Sequence, residues 1–155
     1  MPERTDLLRL SEAWIRVLNK MNAHEKSPRD FGSGDLLYCS EIHTIMAIGK
    51  NPDINLTNLS RLLGISRSAI TQMIRRLAAK DLVVKQKDPA NAKEVLVRLT
   101  PHGTVAYLGH EQHHAKIYAQ VHRRLGDPSD AEIDLILRFL TAIEDAVDEH
   151  DGEEE

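Results

Sequence analysis

The chain has 155 residues, 41% of them apolar, and carries 20 Lys and Arg against 24 Asp and Glu for a formal charge of −4. That size and apolar content imply one soluble globular domain with its own core, and two Phe, one Trp and three Tyr leave the packing to Leu, Ile, Ala and Val, as in a helix-rich fold. No apolar run approaches the roughly 20 residues that span a bilayer, no charged-then-apolar leader opens the sequence, and one cysteine, Cys39, excludes an internal disulfide, so a cytoplasmic protein with no membrane partner is expected.

Pro2 to Glu25 reads as a helix with an apolar stripe of Leu7, Leu10, Trp14, Val17, Leu18 and Met21. Lys26 to Asp35 is turn-rich. Ser40 is expected to cap a second helix through Ile42, Ile45, Met46 and Ile48 to Gly49, which Asn51-Pro52-Asp53 then breaks. Thr57 is the expected cap of a short helix through Leu63, and Gly64 stops it. Ile65 is expected to plug the turn, and Ser66 caps the next helix. Ala69, Ile70, Met73, Ile74 and Leu77 recur at spacings of three and four and so give that helix one apolar face. Asp81 should end it. Leu82 to Lys87 and Lys93 to Thr100 read as two strands around the turn Asp88-Pro89-Ala90-Asn91-Ala92. Thr100-Pro101 opens a long helix to about Leu125. Gly126-Asp127-Pro128 separates it from a last helix, which Ser129 opens with a capping box to Glu132. That helix has a stripe of Ile133, Ile136, Leu137, Leu140, Ile143 and Val147.

Charge is distributed unevenly along this pattern. Thr57 to Arg98 holds nine basic residues against three acidic ones, a local balance of +6, whereas Glu144 to Glu155 holds eight carboxylates and no Lys or Arg. The basic excess is an electrostatic footprint for a polyanion. The tail carries the negative sign, and from Asp148 on it has no apolar face and should lack fixed structure. Arg67, Ser68, Thr71, Gln72, Arg75 and Arg76 occupy the polar face of the helix after Ser66. They are the donors that phosphates and base edges require.

Leu59-Ser60-Arg61-Leu62-Leu63-Gly64-Ile65-Ser66, Ile70-Thr71-Gln72-Met73-Ile74-Arg75-Arg76-Leu77, Lys80-Asp81-Leu82-Val83 and Leu99-Thr100-Pro101-His102-Gly103 together resemble the MarR family of transcription regulators, over nearly the whole chain. The resemblance implies a homodimer, mainly α with a small β-wing. Within a single domain of residues 1–155 it places a winged helix-turn-helix module at about 36–100 and a helical dimerisation lobe at about 2–26 and 101–149, with an acidic disordered tail at 150–155. It implies double-stranded DNA as partner, with recognition helices in successive major grooves of a pseudo-palindromic operator. Ser66, Arg67, Ser68 and Lys87 are then expected on phosphates, Thr71, Gln72, Arg75 and Arg76 at base edges, and Lys93 at the wing tip. Many members carry Asp-x-Arg at the wing, whereas Asp88 is followed here by Pro89-Ala90 and the nearest cation is Lys93.

Eight histidines stand in the chain. His110 and His114, four apart, share one helix face and can chelate one metal ion; with His43 on the second helix and Glu25 at the end of the first, they make a donor set suited to tetrahedral zinc. His113 and His122 lie on the same long helix, and a solvated polar face is the alternative explanation of the whole group. The chain is similar to the zinc-responsive MarR subgroup, which implies a sensing site at Glu25, His43, His110 and His114 and one regulatory zinc ion per subunit. Ile42 and Gly109 occupy positions where that subgroup's accessory carboxylates stand, so one site is expected, not two. His24, Glu41 and Glu111 are substitute ligands.

These features lead to a sequence-specific DNA-binding regulator, with repression and control by zinc favoured. The alternatives are control by a small organic, aromatic ligand or by oxidation of Cys39, which a helix N-terminus could activate or which could be a small buried hydrophobe. An enzyme is not expected: a metallohydrolase would need an open metal position, a general base and a substrate pocket, and no nucleophile motif or phosphate loop is present. A nonspecific architectural DNA protein is disfavoured by the overall acidity.

Overall fold

The computed structural model of the chain describes residues 4–91 and 93–152. In chain order the elements are α1 (Arg4–Glu25), β1 (Arg29–Asp30), β2 (Leu36–Leu37), α2 (Cys39–Lys50), β3 (Ile54–Asn55), α3 (Leu56–Leu63), α4 (Arg67–Ala79), β4 (Val83–Lys87), β5 (Val95–Leu99), α5 (Pro101–Leu125) and α6 (Asp130–Gly152). The chain divides into two compact units between His113 and His114. The boundary falls inside α5, which continues through it without a break. Among the described residues no helix is long and apolar enough to cross a membrane.

The first unit is built on the helix-turn-helix. Ile42, Ile45 and Ile48 of α2, Leu59 of α3, Ile70, Ile74 and Leu77 of α4, and Val97 of β5 are fully buried in one core. Each such side chain contributes roughly 1.5–3 kcal/mol by leaving water. Ser66 caps α4 as expected, its Oγ accepting from Ala69 N–H at 3.2 Å. Gly64, at φ +63°, ends α3 in the left-handed conformation. Three local expectations are corrected. The cap of α3 is Asn55, whose Oδ1 accepts from Asn58 N–H at 2.8 Å, and Thr57 lies inside the helix. Ile65 is 40% exposed and does not plug the turn; its N–H instead donates to Ser60 O. Ala69 is exposed, so the buried stripe of α4 is Ile70, Met73, Ile74 and Leu77.

The wing has three strands rather than two, in the order β3-β5-β4, all antiparallel. Ile54 pairs with Val97, and Val83 with Leu99. Beside β3, Asp53 sits at φ +63° and its carboxylate receives both Arg98 Nε and, at 2.7 Å, Arg98 Nη2. The hydrogen bond from Arg98 holds the Asp53 carboxyl below its ordinary value of 3.8. A depressed carboxyl contributes stability above its unfolded value and loses it as pH falls through the folded one. Asp53→Asn, which keeps shape and tolerates positive φ, should therefore melt below wild type at pH 7. The gap in melting temperature should close as pH drops below 3.8; a gap that persists in acid would assign the loss to packing, not charge.

The segment read as a loop before α2 holds a short antiparallel pair, with Arg29 opposite Leu37 and Asp30 opposite Leu36. Asp30 Oδ1 accepts from Gly32 N–H at 2.8 Å and Gly34 N–H at 2.9 Å, which fixes the turn between them. Helix α2 starts at Cys39, one residue before the expected Ser40 cap. Its first turn is closed by Tyr38 N–H donating to Glu41 Oε2 at 3.1 Å, and the helix runs one residue past Gly49, to Lys50.

In the second unit the Ser129 capping box is present: Ser129 N–H and Oγ donate to Glu132 Oε2 at 2.8 and 2.7 Å. Helix α6 continues to Gly152, so Asp148 to Gly152, expected without fixed structure, is helical. Residues 153–155 of the acidic tail, Pro2 and Ala92 lie outside the described residues.

Candidate nucleic-acid interface and metal centre

Because the apolar stripe of α4 faces the core, its polar face is turned out. Arg67, Ser68, Gln72, Arg75 and Arg76 are exposed, as are Ser66, Lys87 and Lys93. Thr71 is half-buried, and its hydroxyl donates to Arg67 O at 2.8 Å, inside its own helix. Two of the nine cations counted in this module are committed elsewhere: Arg98 to Asp53, and Lys80 to Glu41, whose Oε1 and Oε2 both lie 3.0 Å from Lys80 Nζ. Both of those carboxylates lie outside the counted stretch, which begins at Thr57, so the outward footprint is smaller than composition suggests.

The wing tip is ordered by its own side chains. Asp88 Oδ1 accepts from Ala90 N–H at 2.8 Å, Asn91 Oδ1 from Lys93 N–H at 3.2 Å, and Asp88 N–H donates to Glu94 O. Asn55 Nδ2 reaches Glu94 Oε2 at 2.7 Å. Arg67 at the start of α4 and Lys93 and Asn91 on the wing line one cavity of about 260 Å³ with Thr57. Helix α4 and the wing thus present donors on one surface. Asn91 was read only as turn chemistry, and it took the fold to bring it beside Arg67.

The histidines gather around α5. His110 is 3% exposed, and its ring meets that of His43 at 5.4 Å between centroids. His114 follows one turn along the same helix. Single donor nitrogens of His43, His110 and His114 lie within 4.8 Å of one another. Three imidazole nitrogens gathered this closely are the donor type and number that a zinc site takes, with Zn–N distances of about 2.0–2.1 Å. His43 and His114 are partly exposed, and His114 Nδ1 lies 3.1 Å from Tyr118 Oη. The side chains of Glu25 and His24 lie outside the described residues.

The two remaining substitute ligands are engaged: Glu41 by Lys80, and Glu111 by Tyr107 Oη at 3.2 Å. Burial, with the Glu111 carboxylate beside it, raises the Tyr107 phenol above its ordinary value of 10.0. His113 is not on a solvated face; it is half-buried, 6.0 Å from the Phe31 ring. Phe31, which sequence reasoning passed over as part of a loop, also stands edge-on to His110 at 5.0 Å. Gly109 has a structural reason to be glycine: a Cβ there would lie 1.8 Å from Phe31 O, so no carboxylate side chain fits at that position. Cys39 is half-buried as the first residue of α2.

Residues 37–95, the core of the winged module, match the model of the MarR family, whose members are DNA-binding regulators and not enzymes. YhjH of Bacillus subtilis, an uncharacterized HTH-type transcriptional regulator, is 26% identical over 113 residues, which are 72% of this chain and 65% of YhjH, so the chain spans just under two thirds of that relative's length. The transcriptional regulator AdcR of Streptococcus pyogenes is 26% identical over 125 residues, covering 81% of this chain and 84% of AdcR. Among solved structures, AdcR superposes with a TM-score of 0.69 at 22% identity, covering 89% of this chain and 97% of that one. FabT of Streptococcus pneumoniae, solved in complex with DNA, gives 0.66 at 22% identity over 92% and 98%. ZitR of Lactococcus lactis, described as a zinc-responsive MarR family member, gives 0.63 at 20% identity over 91% and 99%. These likenesses establish the winged-helix fold.

Proposed function

We propose that this chain, whose winged module matches the MarR family, is a sequence-specific transcriptional repressor that binds a pseudo-palindromic operator as a homodimer under the control of zinc. The observation that carries the DNA-binding part is the exposed donor face of α4 beside the ordered wing. Arg67, Ser66, Ser68 and Lys87 hold phosphates, and Lys93 acts at the wing tip. Gln72, Arg75 and Arg76 read base edges, with Thr71 supporting them from the helix. Self-association is supported by apolar side chains left exposed on α1, such as Leu10, Val17 and Met21, and on α6, such as Leu137 and Val147.

His43, His110 and His114 are the residues that would hold zinc, with Glu25 as the carboxylate ligand, one ion per subunit. Bound there, zinc supplies a cross-link between α2 and α5. The chain's own contribution is to hold the three imidazoles together, with His110 shielded from water and backed by Phe31.

Fluorescence anisotropy with a duplex from the chain's own upstream region, against a scrambled duplex of equal length, tests the DNA-binding reading. The operator should bind tighter by about a thousandfold or more at physiological salt, and Gln72→Ala/Arg75→Ala should erase most of that preference. Equal affinity for both duplexes would contradict it.

A further inference from the structure

We infer that the segment Phe31–Tyr38 is a strap coupling the histidine face of α5 to the recognition helix, and that Lys80 is the positioning residue that fastens it. The inference rests on the zinc reading for the identity of the effector, and on the first unit alone for its geometry.

At the α5 end the strap is seated in three places. The Phe31 ring lies edge-on to His110 at 5.0 Å and to His113 at 6.0 Å. The Phe31 carbonyl occupies the space above Gly109 where a Cβ would stand. Asp35 Oδ2 is 2.7 Å from His102 Nε2. At the other end Lys80, the C-terminal cap of α4, sends Nζ to Leu36 O at 3.1 Å and to both oxygens of Glu41 at 3.0 Å. Glu41 is 3% exposed and also accepts from Tyr38 N–H. Between the two ends the strap is stiff: β1 and β2 pair, Asp30 ties the turn, and Leu37 is buried in the core.

A buried carboxylate that takes three hydrogen bonds, two from the Lys80 ammonium and one from the Tyr38 N–H, fixes a geometry more than it adds stability. Here the fixed geometry joins the end of α4 to a segment whose other end rests on His110. A change in the His110 and His113 rings moves Phe31, and the strap delivers that movement to Lys80 and so to the tilt of α4.

Lys80→Met/Glu41→Gln removes both charges together, so no carboxylate is left buried without its cation, and Lys80→Arg keeps a cation in place. Zinc affinity is read by competition with a chromophoric chelator, and operator affinity by anisotropy with chelator and with zinc. The double variant should bind zinc as wild type does, within about twofold, while its zinc-dependent change in operator affinity falls by about tenfold. Lys80→Arg should retain most of the change. A double variant that keeps the wild-type response would overturn the proposal.

Hydrogen exchange in the last turn of α4 separates the strap from the zinc reading, since it needs no effector. Phe31→Ala should speed exchange of amides 76–79 by about tenfold with the Lys80 and Glu41 tie intact, and by no more than about twofold without it. Equal acceleration in both backgrounds would overturn the strap. A wild-type protein whose operator affinity ignores zinc, but which shows this non-additive exchange, would sink the zinc reading and leave the strap standing.

Discussion

Gly109→Ala should lower the melting temperature of the protein by roughly 6 °C. In a solvated helix interior the same change would stabilise by about 1 kcal/mol, because alanine is the better helix former. Here the added methyl would lie 1.8 Å from the carbonyl oxygen and 2.8 Å from the carbonyl carbon of Phe31. Those are backbone atoms, so no rotamer change relieves the overlap. Either α5 lifts away or the strap does, and overpacking of that kind costs about 3 kcal/mol, leaving a net loss of about 2 kcal/mol. Gln112→Ala, on the exposed side of the same helix, should leave the melting temperature nearly unchanged. Thermal unfolding followed by circular dichroism reads both variants, and a Gly109→Ala protein as stable as wild type would mean that α5 and the strap are not in the contact described.

His110→Ala/His114→Ala should abolish the response of operator affinity to zinc while leaving zinc-free binding within about twofold, because neither residue belongs to the DNA face. The two positions differ in what their loss means for the fold. His114 is partly exposed, and its replacement removes a proposed ligand and little packing. His110 is buried against Phe31 and His43, so its truncation also leaves a small cavity. His110→Gln keeps most of the volume and separates the two effects: it should fold like wild type and still lose the zinc response.

The helix-turn-helix was legible in the sequence because its determinants are local. Gly64 at the C-cap, Ser66 at the N-cap and the spacing of Ile70, Met73, Ile74 and Leu77 act within a turn or two, and so do the Ser129 to Glu132 box and the pairing of His110 with His114. What the sequence concealed depends on partners far along the chain. The cap moved from Thr57 to Asn55 because Ile54 and Asn55 are drawn into a sheet by Val97 and Leu96, and a two-residue strand has no periodicity of its own to read. Lys80 enters the sequence reading only as one of nine basic residues of the module, and its partner Glu41 lies 39 residues away along the chain. Phe31 lay in a stretch of turn residues, and nothing around it signalled that its ring would back the histidines. Gly109 was visible only as a missing ligand, and the crowding that requires glycine there comes from the strap. His43 lies beside His110 and His114 in the fold, a proximity that no spacing rule reveals, since two separate helices carry them.

The central claim is that one ion, held by the histidines of α2 and α5, governs a DNA-binding face on α4. Its most direct test is the anisotropy of a labelled operator duplex titrated with the wild-type protein and with His110→Ala/His114→Ala, each in chelator and in added zinc. Zinc should change wild-type affinity by about tenfold or more and leave the double variant unmoved. Tight, sequence-specific binding that is the same with and without zinc in both proteins would contradict it.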